Sequence, residues 1–309
     1  MTTDDALKRG LELVGFSAAR QSSVRRSKNM SRFRTWYGSN PVVHSGLWQK
    51  LHQTTIERAQ INWKNLSYGR RVRYYFMAIH MLACYPTEQE AEGTWGKSDR
   101  TWRHWVWHIV GCIAAIKPEI IRWPSFWGNS DSEDETIFII TVDGTHCPIQ
   151  EPTHPAFSEN TKFYSHKFHS AALDYEIAIS IFTQQVVWVH GPFPAGDNDI
   201  SIFRNKLKEK MIWARDNSTT NTVYRGIGDK GYRGERGLLS TPSSHDSQVL
   251  RDFKARALSR HETFNKRLKN FDCLDERFRH SIAKHKQCFE AVAIICQLQM
   301  DCGNKLFLV

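Results

Sequence analysis

Three carboxylates in the second half of the chain have types and a spacing suited to chemistry on phosphate esters. Asp143 follows the β-branched run TIFIITV, and Asp229 follows the strand-like run TVYRGIG. Ligands gather at the carboxyl ends of strands in α/β sheets, so both aspartates are predicted to lie at one sheet edge. Glu262 comes 33 residues after Asp229, within a predicted helix. We therefore expect the three acids to converge.

The helix predicted around Glu262 presents that carboxylate away from its apolar side. Phe264, Leu268 and Phe271 form the apolar stripe of the segment LRDFKARALSRHETFNKRLKNF. Residues three or four apart share a helix face, so Glu262 falls together with Lys266 on another side. The Glu262 carboxylate can therefore face a site instead of the core.

Two aspartates and a glutamate at one edge would bind hard divalent cations. Mg²⁺ prefers carboxylate oxygens, water and substrate phosphate as ligands. Two such ions about 3.5–4 Å apart stabilise the attacking and leaving oxygens of a displacement at phosphorus. The sequence thus predicts a two-ion Mg²⁺ site, in which Mn²⁺ substitutes, formed by Asp143, Asp229 and Glu262.

Each acid also has an ordinary structural interpretation. Asp143 precedes Gly144, and an aspartate before a glycine is most often a turn residue. Glu262 and Lys266 have the spacing of a helical ion pair. Taken singly, these interpretations are favoured. Their occurrence in the order strand, strand, helix favours the catalytic interpretation.

The chain is basic, which favours a polyanionic partner. Its 309 residues include 42 Lys and Arg against 32 Asp and Glu, a net charge of +10. A charge excess of this kind is typical of proteins that bind nucleic acid or an anionic surface, although a merely basic soluble protein has it too. No apolar run is long enough to span a membrane. The start MTTDDALKRG has acidic residues and no apolar core, so we do not expect it to be a secretory signal.

The cysteines argue against zinc and against a disulfide framework. There are seven, with no CxxC pair and no matching Cys/His spacing. A disulfide scaffold is typical of much smaller secreted chains. We expect mostly buried thiols in a reducing compartment.

The pattern of elements predicts an α/β fold after a helical first half. Three strands, a helix, a fourth strand and two helices after residue 135 indicate a mixed sheet flanked by helices. The predicted domains are a basic flexible arm over 1–45, a helical helix-turn-helix-like region over 46–122, a linker over 123–135 and a nuclease domain over 136–309.

The helical region has the pattern of a helix-turn-helix. A short helix beginning at Thr87 is followed by the turn WGKS and by a helix over 99–117. The second helix of such a motif enters the major groove of DNA. A helical packing subdomain with a solvated basic face explains the same pattern. The apolar face of the longer helix is formed by Trp102, Val106, Ile109, Ile113 and Ile116.

Basic residues in both halves are predicted to contact DNA. On the helix over 99–117 these residues lie opposite the apolar face, and in the second half they lie near the three acids. The predicted DNA-binding residues are Arg100, Arg103, His104, Lys167, Lys230, Arg233, Lys266 and Lys269.

An ordered set of motifs resembles DDE transposases of the PIF/Harbinger superfamily. The blocks are VDGTHCPI, KFYSHKFHSAALDYEIAIS, GPFPAGDNDISIFR, GDKGY, RHETFNKRLKNF and FRHSIAKHKQCFEAVAIICQLQM. The resemblance covers about residues 70–305. It implies an RNase H-like fold with a metal-binding triad, which falls on Asp143 of DGTH, Asp229 of GDKGY and Glu262 of RHET.

The resemblance also implies a reaction, partners and a location. The reaction is hydrolysis at transposon ends followed by attack of the freed 3′-hydroxyl on target DNA. A separate Myb-like DNA-binding protein, a homo-oligomer on DNA and a nuclear location are expected. The family often reads Gly-Ser-x-x-Asp where this chain reads AGDNDISIF. Asp199 matches the aspartate of that block and begins a helix, so we expect it to cap that helix or to support the metal ligands. It is also the reserve candidate for the second metal ligand.

Three functions remain open at this point. The first is an active transposase and endonuclease. The second is a domesticated DNA-binding or adaptor protein with an idle nuclease fold. The third is an unrelated Mg²⁺ nuclease of the same fold, such as a resolvase or a repair enzyme.

Overall fold

The computed structural model describes residues 1–17, 23–54, 63, 65–125, 127, 136–152, 161–217 and 223–309. These residues divide into two compact units. The first unit comprises Met1–Ile120 and Arg267–Lys305, and the second comprises Ile121–Lys266 and Leu306–Val309.

The first unit is helical. Its helices are α1 (Thr3–Leu13), α2 (Ser23–Tyr37), α3 (Pro41–Thr54), α4 (Tyr68–Cys84), α5 (Glu88–Trp95), α6 (Asp99–Ala115), α7 (Lys117–Ile120), α11 (Asp272–Asp275) and α12 (Ile282–Asp301). The central helices α4 and α6 pack against each other, and α12 also packs on α6.

Residues 1–45, expected as a flexible basic arm, instead contribute helices to this unit. Phe33 and Tyr37 lie one turn apart on α2 and are completely buried. The Tyr37 hydroxyl donates to the carbonyl oxygen of Gly10 at 2.8 Å, which ties α2 to α1. The apolar spacing of Phe33 and Tyr37 was visible in the sequence, but the surrounding arginines and lysines obscured it.

The two helices of the predicted helix-turn-helix are present, and the second ends at Ala115 instead of residue 117. Thr87 and Glu90 form a capping box at the start of α5, and Gly96 ends that helix in the left-handed conformation. All five predicted apolar residues of the longer helix, Trp102 to Ile116, are buried. The apolar-face prediction is therefore confirmed.

The outer side of α6 carries contacts within the same unit. Trp105 stacks on Tyr74 of α4 with ring centroids 4.6 Å apart. The ammonium of Lys284 on α12 lies 4.4 Å from the centroid of the Trp107 ring. These contacts give α6 a packing role inside the helical unit, and its DNA-reading role stays a prediction.

The second unit contains a mixed sheet of six strands. The strands are β1 (Thr136–Pro148), β2 (Tyr164–Ser165), β3 (Ser170–Ser180), β4 (Val186–Pro194), β5 (Val223–Ile227) and β6 (Leu239–Ser240). The strand order is β2-β3-β1-β5-β6, and β4 also pairs with β3. β1 pairs antiparallel with β3 and parallel with β5.

Helices cover both faces of this sheet. They are α8 (Asp199–Asn205), α9 (Leu207–Asp216) and α10 (Gln248–Leu268). Phe203, Met211 and Ala214 of α8 and α9 join Ile140 and Val142 in the core. On the other face, α10 contacts β1. This arrangement is an α/β fold consistent with an RNase H-like nuclease, as the sequence predicts.

A bulge in β1 sets which side chains face α10. Phe138 pairs with Arg225 of β5 and Ile140 pairs with Gly226, so Ile139 is the extra residue. A bulge reverses the alternation of side chains beyond it. Beyond the bulge, Thr141 and Asp143 share the face on which α10 lies, as the contacts of α10 with both residues show.

Several boundaries differ from the predicted ones. The single helix expected from Asp199 onward is divided at Lys206, whose φ of −147° interrupts it. Residues 267–305 group with the N-terminal helices, whereas the predicted nuclease domain extends to residue 309. Of the predicted linker over 123–135, residues 126 and 128–135 lie outside the described residues.

The thiols and the hydropathy of the helices agree with the sequence-based expectations. The seven cysteines all lie within the described ranges as thiols, and five of them are buried. Among the described residues, no helix combines the length and the apolar character that crossing a membrane needs.

Candidate active site

Asp143 lies where the parallel part of the sheet ends. The last β1–β5 pair is Thr141 with Ile227, two residues before Asp143. β1 itself continues to Pro148 and pairs with β3 alone, so Asp143 is inside a strand and not at its end as expected. Asp143 Oδ1 accepts from the Gly144 amide, and Oδ2 accepts from Asn265 Nδ2, each at 3.0 Å.

Asp229 follows the end of β5 at the same edge. It precedes the short 3₁₀-helix Lys230–Tyr232, and its Oδ1 accepts from the Gly231 amide at 2.8 Å. This local bond fixes the Asp229 side chain at the start of the loop. The strand and its following turn therefore position this aspartate as the sequence predicts.

Asp199, the reserve candidate, lies between the other two aspartates. A Cβ atom on Gly231 would overlap the Asp199 carboxylate and would lie 3.1 Å from Asp229 Oδ1. A Cβ atom on Gly144 would lie 3.2 Å from Asp199 Oδ1. The two glycines leave the space in which Asp199, the first residue of α8, approaches β1 and the loop after β5.

Two further acids of the cluster lie on β3 and are not among the predicted site residues. Asp174 and Glu176 are completely buried. Both Asp174 oxygens would lie 3.1 Å from a Cβ atom on Gly144. Glu176 Oε2 accepts from Trp188 Nε1 at 3.0 Å. Their position within the strand SAALDYEIAIS hid them, because acids alternating with apolar residues suggest a solvated strand face.

The cluster carries more negative charge than its surroundings neutralise. Burial, together with the charges of Asp229 and Asp199, raises the pKa of Asp143 to about 7. Burial and the charge of Asp229 raise the pKa of Asp199 to about 6. Burial also raises the pKa of Asp174 to about 7 and that of Glu176 to about 8. A bound cation would favour the charged form of each group.

The chemistry of these side chains fits a divalent metal ion, although the carboxylates lie too far apart to bind one together in this conformation. Hard carboxylate oxygens are the ligands that Mg²⁺ prefers. Within the described ranges, no three His, Cys, Asp or Glu side chains are close enough together to hold a metal ion. Binding therefore requires Asp143, Asp199 and Asp229 to approach one another, which their mutual repulsion opposes without a cation.

Glu262 lies outside this cluster. Its side chain is 55% exposed, and its Oε1 is 3.8 Å from Lys266 Nζ. Lys266 is the only charged partner that the described residues give it. The face of α10 that meets the sheet is set by its neighbours His261 and Asn265, which contact Thr141 and Asp143. The structure thus brings together two of the three predicted acids, and the role of Glu262 stays a prediction.

The predicted DNA-binding residues have different surroundings. Arg103 forms ion pairs with Glu88 at 2.9 Å and with Asp99 at 2.7 Å. Lys269 donates to the carbonyl oxygen of Leu274 at 2.7 Å. Arg100, His104, Lys167, Lys230, Arg233 and Lys266 are exposed.

An exposed basic surface follows Asp229 directly in the chain. Lys230, Arg233 and Arg236 are exposed and line a cleft of about 790 Å³. Within the described part of the chain no acid pairs with these three side chains, because the nearby Glu235 pairs with Arg204 and Lys208. Unpaired exposed cations of this kind bind phosphate groups. We name Lys230, Arg233 and Arg236 the basic rim.

Comparison with known proteins gives one match. The family model of the DDE superfamily endonucleases matches residues 142–297, half of the chain. No curated protein and no solved structure matches. The matched segment includes the converging aspartates Asp143, Asp199 and Asp229. Proteins of this superfamily generally act on DNA with divalent metals, as the carboxylate cluster and the basic rim would require. The chain belongs to the DDE superfamily endonucleases.

Proposed function

We propose that this protein is a PIF/Harbinger-type DDE transposase that hydrolyses phosphodiester bonds at transposon ends and joins the freed ends to target DNA. The observation that carries the proposal is the location of Asp143, Asp199 and Asp229 at one sheet edge, within the segment that matches the family model. The sequence blocks shared with PIF/Harbinger transposases support the subtype.

Asp143 and Asp229 would hold Mg²⁺ or Mn²⁺, with Asp199 between them. The chemistry supplied by two such ions is activation of water or a 3′-hydroxyl and stabilisation of the leaving oxygen. The side chains of this protein supply the carboxylate oxygens. Asp143 is held by Gly144 and Asn265, and Asp229 is held by Gly231.

Glu262 is the third acid of the proposed triad. Its backbone is fixed next to β1, because the preceding His261 bonds Thr141 Oγ1 through Nδ1 at 2.9 Å. Its exposed carboxylate is paired only loosely with Lys266, at 3.8 Å. Exchange of Lys266 for a bound cation therefore costs little, since exposed ion pairs contribute about 0–1 kcal/mol.

The basic rim would bind the DNA backbone beside the acids. Lys230 follows Asp229 directly, so a phosphate bound at the rim lies near the carboxylates. Phosphate contacts fix the position of a duplex without reading its sequence. Recognition of the transposon ends is assigned in this proposal to the α5–α6 pair and to a Myb-like partner, within a homo-oligomer acting in the nucleus.

Cleavage of a labelled duplex carrying the flanking inverted repeats tests the proposal. The wild type with Mg²⁺ or Mn²⁺ is compared with Asp143→Asn, Asp229→Asn, Asp199→Asn and Glu262→Gln. Asp252→Asn, an exposed acid on α10, is the control. We expect cleavage by the wild type and the control, and none by the Asp143 and Asp229 variants.

The remaining outcomes separate the alternatives. Cleavage by the Glu262→Gln variant would show that Glu262 is not a member of the catalytic site, and the aspartates would remain assigned to it. A wild type that binds DNA in a salt-sensitive way, ignores chelators and never cleaves, even with nuclear extract as a source of partners, would overturn the proposal in favour of a domesticated adaptor.

A further inference from the structure

We propose that Asn265 is a positioning residue for the nuclease reaction, holding the Asp143 carboxylate in the orientation that a divalent cation requires. The inference rests on the proposed function, since it assigns Asp143 to the metal. Asn265 has no charge and lies three residues beyond Glu262, so no pattern in the sequence marks it as a site residue.

The contact between the two side chains is direct and buried. Asn265 Nδ2 donates to Asp143 Oδ2 at 3.0 Å. Asn265 is 7% exposed, so water competes little for this bond. The other carboxylate oxygen, Oδ1, accepts from the Gly144 amide. Each oxygen of Asp143 thus has one protein donor, which fixes the plane of the carboxylate.

The placement of Asn265 is fixed by the register of α10 on β1. His261 contacts Thr141, and Asn265, four residues later, contacts Asp143, two residues later on the strand. Four residues of an α-helix rise about 6 Å, and two residues of a strand rise about 6.6 Å. The two spacings match, so the bond of His261 to Thr141 brings Asn265 opposite Asp143.

An amide suits this position better than a carboxylate does. Asp143 already experiences the charges of Asp199, Asp229 and Asp174. A fourth negative group in contact with it would add repulsion, whereas the amide donates a hydrogen bond and stays neutral. Hydrogen bonds of this kind to a metal-binding carboxylate orient it and are worth a large part of the metal affinity.

The second polar atom of Asn265 points to the same role. Asn265 Oδ1 is buried and has no hydrogen-bond partner among the described residues. A buried acceptor without a donor is unfavourable, and native structures rarely keep one. A water molecule bound to the cation beside Asp143 would supply the missing donor.

Mn²⁺ binding to the full chain without DNA tests the inference by isothermal titration calorimetry. The variants are Asn265→Ala and Asn265→Leu, the second of which keeps most of the side-chain volume. Asn270→Ala is the matched control, because Asn270 is an exposed asparagine just beyond α10. Thermal unfolding without metal shows whether each variant is folded at the temperature of the titration.

We expect both Asn265 variants to bind Mn²⁺ at least about tenfold more weakly than the wild type, while Asn270→Ala binds normally. A merely structural role would lower the unfolding temperature and leave the affinity of the folded protein unchanged, which would overturn the inference alone. A wild type that binds no Mn²⁺ would overturn the proposed metal site and this inference with it.

Discussion

The carboxylate of Asp199 occupies the space that a side chain on Gly231 would need. Gly231 also donates its amide to Asp229, so one glycine contacts two acids of the cluster. Its φ does not require glycine, and the constraint is therefore one of space. The approach of α8 to the loop after β5 depends on this missing side chain.

Gly231→Ala should impair cleavage without unfolding the protein. The added methyl group displaces Asp199, and a shift of about 1 Å in a catalytic group costs up to about 100-fold in rate. Gly237→Ala is the control, since a Cβ atom there meets nothing within 4 Å in the same loop. Equal cleavage rates in the two variants would show that Asp199 is not needed at its observed position.

The contribution of Asp174 and Glu176 to the stability of the metal-free protein should fall as the pH rises from about 4 to about 8. Both acids have raised pKa values in the folded protein, about 7 and about 8 respectively, whereas acids of these types titrate at about 4 when unfolded. In this window the folded state therefore holds more protons at these two groups than the unfolded state does, so their contribution to stability is lost as the pH rises.

The variant Asp174→Asn checks this pH dependence. In EDTA, the unfolding temperature of this variant should rise relative to that of the wild type between about pH 5 and about pH 8. The expected rise is about 2–4 °C for each kcal/mol of the Asp174 ionisation cost that the asparagine removes. Asp252→Asn, which changes an exposed acid, should keep the wild-type slope. Parallel slopes for the wild type and Asp174→Asn would contradict the assignment of the raised pKa.

DNA binding should depend on the basic rim and not on Arg103. Lys230→Ala, Arg233→Ala and Arg236→Ala should each lower the salt slope of DNA affinity by about one. Arg103→Ala should leave the slope unchanged, because Glu88 and Asp99 already neutralise this side chain. Fluorescence anisotropy at several salt concentrations measures the salt slope of each variant. A lower slope for Arg103→Ala would show that this ion-paired arginine contacts DNA as well.

Arg260 should stabilise the second unit through the end of β3. Its buried guanidinium donates to the carbonyl oxygens of Ser180 at 3.0 Å and Ile181 at 3.2 Å. Arg260→Met removes both donors and should lower the free energy of unfolding by about 1–3 kcal/mol. Arg256→Met, at an exposed position of the same helix, should cost less. Chemical denaturation measures the free energy of unfolding of both variants. Equal losses would show that the bonds of Arg260 to the end of β3 add no stability.

The strands and helices of the second unit could be predicted because their patterns are local. The β-branched run before Asp143 and the apolar stripe of α10 each extend over several residues. The positions of Asp143 and Asp229 near one sheet edge followed from those strands. The boundary of β1 did not, since residues beyond Asp143 pair only with β3, a contact between distant parts of the chain.

The remaining site residues depend on tertiary contacts. Asp174 and Glu176 are acids in a fully buried strand, which no local pattern indicates. Asn265 gains its role only because the bulge in β1 turns Asp143 toward α10. The charge and spacing of Glu262 indicate a site residue. The contact of His261 with Thr141 turns the neighbouring Glu262 side chain away from the sheet and leaves it exposed.

The first unit is discontinuous in sequence, and this affects how the protein folds during synthesis. Residues up to Lys266 include the whole sheet, while α11 and α12 are still to be made. Domains that are continuous can fold as they leave the ribosome. The apolar surface of α6 that packs against α12 stays uncovered until residues 282–301 have been made. The helices that precede the sheet in sequence are thus translated before it, but their unit is completed only after it.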